Sequence, residues 1–215
     1  MPETFDAARR SADEVIGHAV VKALKSRGFD AVYAASKEEA LQLVLERIPQ
    51  GVSVGVPGTV TVREIGAVEA LKAKGCTVYQ HWGQPTPEAQ DQARMDENAA
   101  DFFLTSANAL TQDGEIINID GTGNRVSAMA WGRSVLIFVI GINKLAPTFE
   151  EGIRRARSAT IPNALRLGLG TACTKAGRCV DCRDASRICR AMLILEAPTT
   201  GRETHVILVG EELGY

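Results

Sequence analysis

Val135 to Ile140 is an unbroken apolar run of mostly β-branched residues, flanked by Ser134 and by Gly141. A strand with one face in water would alternate polar and apolar side chains, so a run without alternation predicts a central strand buried on both faces. Such a strand needs helices above and below it, and the chain supplies them. Val15, Ile16, Ala19, Val20, Ala23 and Leu24 recur at helical spacing up to Gly28. Ser36 and Glu39 form a capping box before a second helix that Pro49 and Gly51 end. Thr61 and Glu64 read as a cap for a third helix through Ile65, Val68 and Leu71, and Thr86-Pro87 opens a fourth. Thr148 and Glu151 cap a helix that Pro162 interrupts. Strands are predicted at 31–35, 52–56, 77–80, 102–105, 115–119 and 205–209. This alternation predicts an α/β three-layer sandwich with a mainly parallel central sheet, formed by residues 1–215 as a single domain.

Two glycine loops join predicted strands to predicted helices. Gly55-Val56-Pro57-Gly58-Thr59 places unpartnered backbone N–H groups at a helix start, which makes an anion site, unless the glycines serve only a tight turn. Asp120-Gly121-Thr122-Gly123-Asn124-Arg125 sets a carboxylate, an amide and a guanidinium beside exposed backbone donors. Its alternative is structural, with Asp120 capping the helix and Arg125 in a surface pair. Asn143 and Lys144 follow the buried strand, and Asn108 lies before the strand–turn–strand unit. Loops at one edge of a parallel sheet share a cleft, so Gly55, Gly58, Thr59, Asn108, Asp120, Gly121, Gly123, Asn124, Arg125, Asn143 and Lys144 form the expected ligand site. None of the histidines, His18, His81 and His205, lies in a motif for general-base chemistry.

Four of the five cysteines fall in a C-x5-C-x2-C-x6-C pattern: Cys173, Cys179, Cys182 and Cys189. Thiolates are soft ligands, and a C-x2-C pair brings two sulfurs to one centre from a single turn. Lys175, Arg178, Arg183, Arg187 and Arg190 stand against Asp181 and Asp184 in the same loop, 171–190, and cations favour thiolate. An iron-sulfur cluster, of the 4Fe-4S type, is the expected occupant, because zinc sites usually show two close-spaced ligand pairs. Zinc, two disulfides, and inert or redox-sensing thiols remain open alternatives. Cys76 reads as a buried small hydrophobe.

The formal net charge of -2 gives no field for nucleic acid, and the apolar run at 135–140 is far too short for a membrane span. The start MPETFDAARRS lacks an apolar signal core. The expected location is therefore the cytoplasm, where structural disulfides are disfavoured.

With these motifs identified, the chain resembles the LUD domain family, associated with lactate utilisation. The resemblance rests on the Gly55–Thr59 loop with Arg63-Glu64-Ile65-Gly66, the run FLTSANALTQDGEIINIDGTGNRVSAM, Gly141-Ile142-Asn143-Lys144, and LGLGTACTKAGRCVDCRDASRIC. It implies the wider NagB/RpiA/CoA-transferase-like fold, whose ligands sit at glycine loops on strand ends. It also implies a redox accessory role in lactate or hydroxy-acid oxidation, with redox partner proteins. The chain lacks a ferredoxin-like tail and a defensible CoA-transferase glutamate. Hence a second expectation is an isomerase- or transferase-like enzyme acting on a small anionic, phosphorylated or carboxylated metabolite, with structural zinc. A third is a regulatory binder of such a metabolite. A homo-oligomer is compatible with all three.

Overall fold

A computed structural model describes residues 4–215. In chain order the elements are α1 (Phe5–Ser26), β1 (Asp30–Ala34), α2 (Lys37–Arg47), β2 (Ser53–Gly55), α3 (Val60–Glu64), α4 (Ala67–Ala73), β3 (Thr77–Tyr79) and α5 (Pro87–Ala99). Then come β4 (Phe102–Thr105), β5 (Ala109–Thr111), β6 (Ile116–Asp120), α6 (Asn124–Ala130), β7 (Val135–Gly141), β8 (Leu145–Ala146) and α7 (Phe149–Ser158). The chain finishes with α8 (Thr160–Arg166), α9 (Ala172–Ala176), β9 (Ala191–Leu195) and β10 (Thr204–Val209).

Six strands form one sheet in the order β1-β10-β7-β4-β2-β3, and every pairing in it is parallel. The apolar run at 135–140 is thus β7, bonded on both sides. Its side chains divide as a pleated strand requires. Ile137 and Val139 join the core under α2, α3 and α4, while Leu136, Phe138 and Ile140 pack with α1 and α6 on the opposite face. The fold is the expected α/β arrangement with a mainly parallel central sheet.

A four-stranded second sheet, β8-β5-β6-β9, was not anticipated. It lies over the α1/α6 side of the main sheet, where Leu110, Ile116 and Leu195 enter the core, and its outer face carries Ala109, Ile117 and Ile119 against Ala156 of α7. Three local readings also change. The Ile65–Leu71 helix is broken at Gly66, whose φ of 73° ends α3 and starts α4. The Thr61/Glu64 cap does not form, because Thr59 is the N-cap and makes no side-chain bond. The helix begun at Phe149 does end before Pro162, at Ser158, whose carbonyl a proline four residues on cannot bond, and Pro162 itself sits in the first turn of α8. On α1, Val15 and Ile16 are exposed and Gly17, Val20, Val21 and Leu24 are buried, because Gly17 lets the helix close on the Tyr33 ring.

Other caps hold as the sequence implies. Ser36 and Thr148 accept the N–H of Glu39 and Glu151, and Thr86 that of Ala89. At the far end of α6, buried Arg202 donates to the carbonyls of Ala128 and Met129 and to Ser134. Carbonyls at a helix C-terminus have no partner within the helix, so a guanidinium there supplies both donors and favourable charge. Among the described residues no helix is long and apolar enough to cross a membrane.

Candidate functional site: a basic cleft at the sheet edge

Parallel strands deliver their carboxyl ends to one edge, and in this sheet the neighbours β7, β4, β2 and β3 each contribute the segment that follows them. From β2 come Gly58, Thr59 and Thr61; from β3, His81 and Trp82; from β4, Ser106 and Asn108; from β7, Lys144. Asp120, Gly121, Asn124 and Arg125 reach the same place from the end of β6. Together they line one cleft of about 670 Å³. Arg94, Asn163 and Arg166 form part of its wall, as do Leu167, Leu169, Ile188 and Tyr215.

Of the residues expected there, Gly55, Gly123 and Asn143 do not line the cleft. Gly55 has a packing role, since a Cβ on it would collide with the Glu97 carbonyl. Gly123 adopts φ 90° as the N-cap of α6. Asn143 accepts the Leu213 N–H through Oδ1 at 3.0 Å, and its carbonyl accepts Nε and Nη2 of Arg155.

Asp120 is committed to structure. Its Oδ2 accepts the N–H groups of Arg125 (2.9 Å) and Val126 (3.0 Å), and its Oδ1 accepts Arg125 Nε at 2.7 Å. This caps α6 and holds Arg125 flat across the loop, where Nη2 also donates to the Ile119 carbonyl. The Asn124 side-chain nitrogen, by contrast, is buried with no hydrogen-bond partner.

Lys144 is the unusual group. It is 3% exposed, has no carboxylate partner, and donates from Nζ to Thr61 Oγ1 (2.7 Å) and Ser106 Oγ (2.9 Å). Burial first, then the positive charges of Arg155 and Arg125, lower its pKa to about 7; the charge of Glu64 opposes them. Gly214 completes the enclosure, because a Cβ there would fall 2.5 Å from Thr61 Oγ1 and 3.0 Å from the amine. The hydroxyl of Thr61, expected to cap a helix, is therefore a lysine acceptor.

His81 is a site residue that the sequence reading missed. Its backbone N–H donates to Glu97 Oε1 at 2.6 Å, and its Nδ1 lies 2.8 and 3.1 Å from the two carboxylate oxygens. Glu97 is fully buried. Nδ1 is thus engaged by Glu97, and Nε2 is left free of this pair. One signal existed: on α5, Glu97 shares the buried face with Ala93, four residues earlier, where a large acid has no packing reason to be. Beside it, Trp82 stacks against the guanidinium carbons of Arg63 (4.3 Å) and Arg166 (4.4 Å).

The cysteine segment borders this cleft. Beyond the short α9, residues 177–190 have no helix or strand. Its last turn is bound to the cleft wall: the Arg190 N–H donates to the Asp120 carbonyl at 2.8 Å, and a Cβ on Gly121 would meet the Ile188 carbonyl at 2.9 Å. All five cysteines are free thiols. Cys173 is buried, and Cys179, Cys182 and Cys189 are partly buried. Desolvation first, and the neighbouring Cys179 and Cys173, push the Cys189 thiol pKa up. Asp181, at φ 45°, bridges Arg157 of α7 and Arg187, each at 3.0 Å. Arg187 in turn donates to the carbonyls of Cys189 and Cys182. As a donor set, four soft thiols among arginines suit a metal centre. Among the described residues, however, no group of three or more His, Cys, Asp or Glu side chains stands in metal-holding geometry.

The family profile described as LUD domain matches residues 18–209. Among solved structures, a DUF162 family protein from Deinococcus radiodurans superposes with a TM-score of 0.53 at 15% identity, covering 92% of this chain and 98% of that one. The translation initiation factor eIF-2B of Pyrococcus horikoshii OT3 gives 0.38 at 14% identity, over 53% of this chain and 48% of its own. The eIF2B beta of Chaetomium thermophilum gives 0.37 at 13% identity, over 52% and 39%. No curated protein matches the chain.

Proposed function

Because the chain belongs to the LUD domain family, the lactate-utilisation type, across residues 18–209, we propose that its working site is the sheet-edge cleft and that the site takes a small anionic metabolite, carboxylated or phosphorylated. One observation carries this reading. Arg94, Arg125 and Arg166 line the cleft; Arg94 pairs with Asp91, and the only acid among the lining residues, Asp120, is consumed by the cap of α6 and by Arg125. Cationic side chains in a partly enclosed pocket attract and hold anions more strongly than they would in open water. Arg166 has no acidic partner, so it and the unpartnered Asn124 amide are the free donors for an incoming anion. The test is thermal stabilisation by inorganic phosphate, lactate and glyoxylate over a concentration series. Wild type should be stabilised by at least one of them, and Arg166→Ala should lose most of that shift. No shift with any of the three anions would refute the reading.

A second reading is favoured by the placement of Cys179 and Cys173 near enough to Cys189 for each to raise its thiol pKa. Here Cys173, Cys179, Cys182 and Cys189 would hold an iron-sulfur cluster of the 4Fe-4S type, with structural zinc as the competing occupant. A cluster would supply one-electron transfer to partner proteins of lactate or hydroxy-acid oxidation. The loop would have to close further to bring four sulfurs to one centre, and Arg157 and Arg187 would then offset the charge. Anaerobic purification followed by iron, sulfide and zinc analysis decides between them: brown protein with iron supports the cluster, zinc alone supports the structural site, and neither metal removes both. Replacing any of the four by Ser should lower bound metal, while Cys76→Ser should not.

A further inference from the structure

Lys144 and His81 are the two groups on the cleft with a nitrogen suited to bond making or proton transfer, and each is held by neighbours of its own. The Lys144 amine is fixed by two hydroxyls, Thr61 Oγ1 and Ser106 Oγ, and by no carboxylate. A structural lysine is normally buried with an acid, because the charge otherwise has to be desolvated alone. His81 is gripped at both its backbone N–H and its Nδ1 by one fully buried glutamate, more restraint than a space-filling histidine requires.

We propose that Lys144 is a covalent catalytic residue that forms an imine with the carbonyl carbon of a small anionic aldehyde or ketone bound in the cleft, with His81 moving the proton. The proposal rests on the anion-binding reading above and adds the carbonyl and the covalent step. The neutral amine adds its lone pair to the carbonyl carbon. The nitrogen loses one proton and the oxygen gains one, giving a carbinolamine. Loss of the hydroxyl with a second proton then yields the C=N bond and one water. His81 Nε2 accepts from nitrogen and returns the proton to the leaving oxygen, while Glu97 is a positioning residue that engages Nδ1. Arg166 and the Asn124 amide hold the anionic group away from the amine. The depressed basicity of Lys144 adds support, since an amine protonated at neutral pH cannot attack.

Glyoxylate, the smallest anionic aldehyde, is the probe. Full-length protein is incubated with it and sodium cyanoborohydride between pH 6 and 9, and the reduced carboxymethyl adducts are mapped by peptide mass spectrometry. Lys144 should be labelled at least about tenfold faster than the exposed Lys22, Lys37 and Lys175 at pH 7.5, because its own basicity is depressed by burial. Its rate should rise through pH 7 and then level. His81→Gln and Glu97→Gln should slow labelling of Lys144 by a larger factor than they lower thermal stabilisation by inorganic phosphate. Labelling of Lys144 no faster than the surface lysines overturns the proposal, and this holds in wild type, whatever the fate of any variant. If phosphate, lactate or glyoxylate still stabilises the fold in that case, the anion site stands and only the imine falls; if none does, both fall.

Discussion

Lys144 ties stability to pH in a direction opposite to that of a paired lysine. Its folded pKa, about 7, lies below the usual 10.5 of an unfolded lysine, so between these values the unfolded chain binds the extra proton. Stability therefore rises with pH across that window and is independent of this group below it, where both states are protonated. From pH 7 to pH 9 the gain is about 2 kcal/mol from this residue alone. Lys144→Met should remove that slope, as urea melts at the two pH values would record, and equal slopes in wild type and variant would contradict it. The position of Lys144 past the end of the buried strand was readable from sequence, and so was its place at the sheet edge where the glycine loops gather. Its enclosure was not, because Thr61, Ser106 and Gly214 come from three distant segments. His81 was missed for a similar reason: the acid that fixes it is sixteen residues away on a helix whose polar composition suggested a solvated face.

The main sheet was more legible than the layer over it. Strands of the main sheet carry strong apolar runs or helix caps at their ends, and β1, β4, β7 and β10 fell within a residue or so of their expected positions. The strands β8 and β9 did not, because a pair as short as Leu145–Ala146, and Ala191–Leu195 next to a cysteine-rich segment, have too few residues to show a period. Helix ends obey the same logic: Ser36, Thr86 and Thr148 were readable caps, whereas the break at Gly66 needed its backbone angle. Arg202 is the element-level contact with the largest expected effect. Arg202→Met keeps the aliphatic stem but leaves the Ala128, Met129 and Ser134 carbonyls buried without those donors, so unfolding free energy should fall by roughly 2–4 kcal/mol. Calorimetry reads this directly, and a loss below 0.5 kcal/mol would show that water replaces the guanidinium.

At the level of the whole molecule, the cysteine segment and the cleft share a wall through Gly121 and Ile188. Gly121→Ala places a methyl group against the Ile188 carbonyl, so the segment must move outward. Two readouts should change together: Cys189 should react faster with a thiol reagent, and phosphate or glyoxylate should stabilise the protein less. A change in one without the other would show that the two regions are independent. The floor of the cleft comes from strand ends locked into a six-stranded sheet, but this wall comes from a connection between α8 and β9 that no ladder constrains until Ala191. Insertions and deletions are tolerated in connections and resisted in sheets. The two parts of the cleft can therefore diversify at different speeds: lengthening or shortening residues 167–190 reshapes its opening, while the lysine below stays where the sheet puts it. Homologues with a trimmed connection should keep the lysine pocket and have a wider opening above it.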